Sequence, residues 1–397
     1  MGWMSWQTFR CNPFPTPGGP PPVANCSGDK ATTTCISEAL FQGVADSLLS
    51  TGLAAAGYTR VHVDDCYQGS APGSGLGRDY VTGALQADSI RFPAGMAALG
   101  AYLHSRGLSF GHYSAASVNT CDGFPGSKDF EFIDAETFAG WGVSYLKLDG
   151  CAIPRGDHSY YATGFARMGA ALNATGRSIV FSCSWPAYLG DDERTKPFAA
   201  LIAMGCNLWR NWHDIQCRSD SLFSIIDHFG DYSRVLAPFA GPGHWHDPDQ
   251  LLIGAGCLTA DEERTQMAVW SILAAPLLLG NDPRNLPQAS LAILTNAHAI
   301  AVDQDSMGRM GGRLEASANA TTQRWWRALE NGDVAVGLMN RGLAAANITL
   351  EFAAVGLSGQ LAVFDIWAQQ GVGSFSESFT ARAVPVNGTA FFRVTKV

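Results

Sequence analysis

Along residues 1–300 apolar runs of strand length take turns with longer stretches in which apolar positions recur every three or four residues. The first kind includes Arg60-Val-His-Val-Asp64, Leu108-Ser-Phe-Gly-His-Tyr113, Val143 to Asp149, Ser178-Ile-Val-Phe-Ser182 and Gly205-Cys-Asn-Leu-Trp209. The second kind predicts helices over Ser37–Leu53, Gly95–Arg106, Ile133–Trp141, Tyr160–Leu172, Ser219–Phe229 and Ala260–Ala274, the last with an acidic first turn at Asp261, Glu262 and Glu263. Strand–helix units with short links imply a parallel sheet, and about eight units favour closure into a (β/α)8 barrel over an open sheet. Near residue 305 the period changes. Beyond Gly308-Arg-Met-Gly-Gly-Arg313, short alternating runs at Gln323, Asp333, Asn347, Leu361 and Ala390, broken by Gly and Asn turns, predict a small antiparallel β-sandwich. The expected division is a catalytic barrel over 1–305 and an antiparallel β domain over 306–397. The Pro/Gly stretch Pro13–Pro22 reads as a rim loop.

The most informative run is Tyr145-Leu-Lys-Leu-Asp149-Gly-Cys151. As a strand it delivers Lys147 and Asp149 to one face at its C-terminal end, because side chains two apart share a face. A carboxylate beside a cation stays ionised, which is what a carboxylate nucleophile needs. Barrels carry their chemistry at these strand ends. Collected here, those ends supply Trp6, Asp64, Asp65, Tyr113, Lys147, Asp149, Ser184, Trp185, Arg210, Asp214, Asp247 and Asp249. A strand-end carboxylate alone can be a helix cap. The whole set, with its cations and aromatics, suits a sugar, whose hydroxyls take paired hydrogen bonds and whose C–H faces stack on rings. Two carboxylates at different strand ends point to glycoside hydrolysis, with Asp149 as nucleophile and Asp214 as acid/base.

Composition narrows the choice. The formal net charge of −9 argues against nucleic acid or an anionic membrane as partner. No run is long and apolar enough for a transmembrane helix. Ten cysteines with no Cys-x-x-Cys pair argue for disulfides rather than a zinc ribbon. Sequons at Asn25, Asn173, Asn319, Asn347 and Asn387 agree with an oxidising, glycosylating compartment. Met1-Gly-Trp-Met-Ser-Trp6 has neither the basic end nor the apolar core of a signal peptide, so it reads as a first strand and a leader is expected to be missing from this form of the chain. His244-Trp-His246-Asp-Pro-Asp249 permits a different class, a metal-dependent barrel hydrolase. The other strand ends offer no further well-placed histidine, His112 being expected to point away from Tyr113. A non-catalytic carbohydrate-binding relative is the third class; Asp149 and Asp214 are both present against it.

The motifs Met1-Gly-Trp-Met-Ser-Trp6, Phe9-Arg-Cys-Asn12, Asp64-Asp-Cys66, Thr120-Cys-Asp-Gly-Phe-Pro-Gly-Ser127, Leu146-Lys-Leu-Asp-Gly-Cys151, Ser182-Cys-Ser-Trp-Pro-Ala-Tyr188, Trp209-Arg-Asn211 and Gly241-Pro-Gly-His-Trp-His-Asp-Pro-Asp249 resemble glycoside hydrolase family 27, the animal-type α-galactosidases and α-N-acetylgalactosaminidases, over nearly the whole chain. The resemblance implies a barrel with a C-terminal β domain, a retaining mechanism, no cofactor and no metal, and galactosaminide or galactoside glycans as substrates. It places Asp149 on the nucleophile and Asp214 on the acid/base. It places Trp6, Asp64, Asp65, Tyr113, Cys121, Lys147, Cys151, Tyr188, Arg210 and Asp249 around the sugar. Ser184 and Ala187 stand where the family's galactosidases carry a larger Glu and Leu, which implies room for a 2-acetamido group. The disulfides it implies are Cys11–Cys66, Cys26–Cys35, Cys121–Cys151 and Cys183–Cys206, with Cys217 and Cys257 left undecided. A lysosomal or secreted location and a homodimer also follow from the resemblance. Departures stand at Ser114–Ser117, at 217–220, and at His246 and Gln250.

Overall fold

The structure is a computed structural model, and it describes residues 1–11, 35–69, 77–151, 153, 158–315 and 320–397. The Pro13–Pro22 loop, the sequons at Asn25 and Asn319 and the Cys26 half of the Cys26–Cys35 pair lie outside the described residues. Eight short strands alternate with helices along residues 2–279 in the order of a (β/α)8 barrel, and an antiparallel β-sandwich follows. The strands are β1 (Gly2–Met4), β2 (Arg60–His62), β3 (Ser109–Ala115), β4 (Val143–Asp149), β5 (Val180–Cys183), β6 (Leu208–Arg210), β7 (Trp245–Asp247) and β8 (Leu278–Leu279). By compactness the chain forms two units, Met1–Trp212 with Leu278–Asn285, and His213–Leu277 with Leu286–Val397.

In the first unit, parallel ladders run β8–β1–β2–β3–β4–β5–β6. The helices Glu38–Ser50, Gly95–Ser105, Glu131–Gly140, His158–Ala174 and Phe198–Ala203 fall between the strands. The helix over 38–50 starts where Ser37 caps the Leu40 N–H, and it buries Leu40, Phe41, Val44 and Leu48 on one stripe. β4 has the predicted bounds because its apolar residues are buried on both faces, as parallel sheets require. β6 is shorter than the expected Gly205–Trp209. Gly205, at φ +86°, is still reversing the chain after a helix, and Cys206 is held by its disulfide to Cys183.

The second unit carries the helices Ser219–Leu236, Ala260–Leu273, Gln288–Leu294 and Ala297–Asp303. The Ala260–Leu273 helix opens on a full capping box, Thr259 to the Glu262 N–H and Glu262 back to the Thr259 N–H. Its sandwich has a six-stranded sheet of β9 (Gly312–Arg313), β10 (Thr322–Ala328), β11 (Val334–Asn340), β13 (Leu361–Asp365), β14 (Gln370–Phe375) and β16 (Thr389–Lys396). Opposite it stands the β12 (Ala346–Glu351) and β15 (Ser378–Val384) pair. One core joins the two sheets through Val336, Leu338, Ile348, Leu350, Val363, Phe379 and Phe392. The buried Arg327 guanidinium donates to the carbonyls of Ser271 and Val302, and Thr265 bonds Thr389, so sandwich and neighbouring helices pack as one body.

Candidate active site

The register of β3, β4 and β5 sets the centre of the site. Tyr113 pairs with Lys147 and Lys147 with Ser182, while Ala115 pairs with Asp149. Ser184 extends this level, its N–H donating to the Leu148 carbonyl at 3.0 Å. Small residues therefore flank Asp149 on both neighbouring strands.

Lys147 lies beside Asp149, as its spacing predicts, and closer still to a second carboxylate, Asp64. Its Nζ donates to Asp64 Oδ2 at 2.9 Å and stands 3.8 Å from Asp149 Oδ2. It also stands 5.0 Å from the centroid of the Tyr113 ring and 5.9 Å from that of Trp6. Asp149 Oδ1 is held from the other side, accepting the Gly150 N–H at 2.9 Å and the Tyr188 hydroxyl at 2.6 Å. The Cys121–Cys151 disulfide ties the loops after β3 and β4, and its sulfurs lie within 4.8 Å of the Asp149 carboxylate. Tyr113 donates its hydroxyl to Cys121 Sγ at 3.2 Å. Ser117, one of the departures from the family pattern, bonds the carbonyls of Asn119 and Cys151 and so reinforces the same tie.

Asp64 and Asp65 occupy the turn after β2. Asp64 Oδ1 accepts the Asp65 N–H, Asp65 Oδ1 the Cys66 N–H and Asp65 Oδ2 the Asp122 N–H. Cys66 sits at φ +70°, anchored by its disulfide to Cys11. Burial, then the charges of Asp122 and Asp64, push the Asp65 carboxyl up to about 7. Burial and the surrounding carboxylates likewise raise Tyr113 well above the usual phenol range, so its hydroxyl remains a donor.

At β6, Arg210 is almost wholly buried, and its Nη2 reaches the Trp212 carbonyl at 3.3 Å. Next to it Asn211 is locked by Glu193, whose other oxygen accepts from Lys196 at 2.8 Å. On the 3-10 turn Trp185–Tyr188, Ala187 is half-buried and Tyr188 exposed. The Ser184 hydroxyl is buried and has no partner among the described residues.

Asp214 and Asp249 belong to the second unit. Asp214 is exposed. Asp249 adopts φ +89° and accepts the N–H groups of Ile215 and Gln250 through its two carboxylate oxygens, at 2.9 and 2.8 Å. The ring nitrogens of His244 and His246, the pair behind the metal-hydrolase reading, bond the carbonyls of Phe239 and Leu236. His112 packs between Phe138, Trp141 and Tyr67, away from the Tyr113 side, and burial lowers it to about 3. The remaining pair is now decided: Cys217 bonds Cys257. Asp122 and Tyr161 went unnoticed in the sequence. Asp122 sits next to a disulfide cysteine in a polar loop, and a tyrosine within a helical pattern reads as core.

A family model described as alpha galactosidase A matches residues 1–305, and one described as the alpha galactosidase C-terminal beta sandwich domain matches 319–394. The chain belongs to glycoside hydrolase family 27. Among its relatives is the mouse (Mus musculus) alpha-N-acetylgalactosaminidase, 45% identical over 315 residues, covering 79% of this chain and 70% of that protein. Human (Homo sapiens) alpha-galactosidase A is 40% identical over 341 residues, covering 86% of this chain and 73% of that one. Among solved structures, alpha-galactosidase I from Mortierella vinacea superposes with a TM-score of 0.82 at 27% identity, covering 99% of this chain and 96% of that chain. As a member of family 27 the chain is a glycoside hydrolase.

Proposed function

We propose that this enzyme removes terminal α-linked N-acetylgalactosamine, and more slowly α-galactose, from glycoconjugates with retention of configuration. Asp149 attacks the anomeric carbon as the bond to the leaving oxygen breaks, and Asp214 gives that oxygen its proton. Water then attacks the glycosyl-enzyme, Asp214 takes the proton of water, and Asp149 is released. Retention requires carboxyl groups about 5–5.5 Å apart. Lys147 offsets charge around Asp149. Trp6, Asp64, Asp65, Tyr113, Arg210, Asp249 and the Cys121–Cys151 disulfide surround the sugar.

The observation that carries the substrate choice is the buried Ser184 hydroxyl, without a protein partner among the described residues, on a residue whose N–H bonds the Leu148 carbonyl next to Asp149, with Ala187 three residues on. A buried hydroxyl is costly unless something bonds it. An acetamido carbonyl supplies that bond, and alanine leaves the space for the methyl group. A name in the relatives agrees: several at 44–45% identity are alpha-N-acetylgalactosaminidases. The runner-up, a plain α-galactosidase, has a named relative at 40%.

The test compares chromogenic α-N-acetylgalactosaminide and α-galactoside at mildly acidic pH, in the natural enzyme and in Ser184→Glu/Ala187→Leu. The acetamido sugar is cleaved faster by the natural enzyme, and the double variant reverses the order by at least about tenfold, some 1.4 kcal/mol. A galactoside preference in the natural enzyme, or an unchanged ratio in the variant, overturns the assignment. Asp149→Asn abolishes turnover on both sugars while the protein still folds. We also assign the barrel to 1–305 and the β domain to 306–397, and the disulfides and sequons support passage through the secretory pathway to a lysosomal or extracellular site. A homodimer is the proposed assembly.

A further inference from the structure

Behind Asp149 stands a row of four aromatic rings. Phe165 stacks on Trp185 at 6.2 Å, Trp185 on Tyr161 at 6.2 Å and 4°, and Tyr161 on Tyr188 at 5.8 Å and 24°. The row ends on the nucleophile, because the Tyr188 hydroxyl donates to Asp149 Oδ1 at 2.6 Å. Tyr188 itself is 40% exposed. Its inner neighbour, Tyr161, lies against its ring and limits how the plane can turn.

Tyr161 is 3% exposed, and its hydroxyl donates to the Gly150 carbonyl at 3.0 Å. Gly150 directly follows Asp149, whose Oδ1 accepts the N–H of that same glycine. Tyr161 thus touches the nucleophile's surroundings twice, through a stacked ring and through the adjoining backbone. Gly150 makes this possible. A Cβ there would come within 2.7 Å of the Tyr188 ring and 2.8 Å of the Tyr161 ring. Burial, then the Asp149 charge, lift the Tyr161 phenol to about 12, which keeps it a neutral donor.

We propose that Tyr161 is a positioning residue for the nucleophilic step, holding the Gly150 carbonyl and the Tyr188 ring so that the Asp149 carboxylate meets the anomeric carbon in one orientation. This rests on Asp149 being the nucleophile. A misplacement of about 1 Å at a reacting atom costs on the order of a hundredfold, so a residue that only orients can still govern kcat.

The test uses the full chain and two substrates of the cleaved sugar: the glycosyl fluoride, whose departure needs no protonation, and an alkyl glycoside, whose departure does. Tyr161→Phe keeps the stack and loses the hydroxyl; Tyr161→Leu loses both. Expected are a kcat drop of about tenfold for Tyr161→Phe and about a hundredfold for Tyr161→Leu, equal on both substrates and with KM unchanged. The phenylalanine variant should keep the unfolding temperature within a few degrees, so its effect is read on a folded enzyme. Unchanged kcat in both variants, a drop confined to the alkyl glycoside, or a change in KM alone overturns the proposal. Asp149→Asn serves as the control. If that variant still turns over the fluoride, the nucleophile assignment fails and takes the Tyr161 proposal with it. If it is inactive while both Tyr161 variants are normal, the proposal fails alone.

Discussion

Asp249 Oδ2 accepts the backbone N–H of Ile215, the residue that follows Asp214, at 2.9 Å. Asp249 is in turn fixed on three sides: its own N–H bonds Asp247 Oδ1, its other oxygen takes the Gln250 N–H, and its carbonyl takes the Trp270 indole N–H. Its left-handed backbone, φ +89°, holds of order 1–3 kcal/mol of strain that this network must over-determine. A residue assigned to the sugar by resemblance is thus also the anchor of the segment that carries Asp214, the proposed acid/base. Asp249→Ala removes both acceptors and is expected to lower kcat at least a hundredfold as well as raising KM. Steady-state kinetics check this, and a rise in KM with kcat intact would reduce Asp249 to a binding contact.

The same segment has a covalent tether. Cys217–Cys257 spans 40 residues and ties the chain just after Ile215 to the loop that leads into the Ala260–Leu273 helix. The chain-entropy relation gives about 4 kcal/mol for a loop of that length. Replacing both cysteines by serine should lower the unfolding free energy by about that amount and reduce kcat, with KM less affected. Urea titration and kinetics on the double variant measure both.

Much of this site was legible because its signals are local. β4 was bounded correctly, and Lys147 and Asp149 share a face because side chains in a strand alternate. What the sequence hides is which charge is bonded to which. Lys147 lies closer to Asp64 than to Asp149, and that follows from the β2–β3–β4 register rather than from spacing along one strand. β14 escaped notice because Gln370–Phe375 is exposed on both faces and carries two glycines, so it shows no alternation; its place at the sheet edge asks for none. The helices over 288–294 and 297–303 are too short to establish a period. Tyr161 could not be singled out, since nothing around it in sequence differs from an ordinary buried helix face.

The sequons are not equivalent in the fold. Asn173 and Asn347 are exposed. Asn387 is half-buried, and its amide nitrogen, the atom that would carry a glycan, donates to Glu262 at 3.0 Å. The sequon's Thr389 is 5% exposed, and its hydroxyl bonds Thr265. A glycan on Asn387 would break the Glu262 contact beside the capping box. Protein secreted from a glycosylating host should therefore carry glycans at Asn173 and Asn347 and none at Asn387. Peptide mapping with and without deglycosylation decides it, and full occupancy at Asn387 would refute the packing argument.

Four buried groups should shape the pH dependence of stability. Burial raises the carboxyls of Asp65 and Asp303 from 3.8 to about 7. Each folded carboxyl therefore holds its proton where the unfolded one has lost it, so its contribution is full below about 4 and is lost as pH rises toward 7. Burial lowers His62 well below 6.5 and His112 to about 3. These imidazoles stay neutral where the unfolded chain binds protons, so their contribution is full above 6.5 and is lost as pH falls. Between about pH 4 and 6.5 the two carboxyls and the two histidines oppose one another, at about 1.4 kcal/mol per group per pH unit. Removing one opposing member tilts the profile. His112→Phe fills much of the same aromatic slot between Phe138 and Trp141 and should make stability fall more, or rise less, with rising pH from 4 to 6.5 than it does in the natural protein. Unfolding temperatures across that range, compared between the natural protein and this variant, measure the tilt; an identical slope in both would show that His112 takes no part in it.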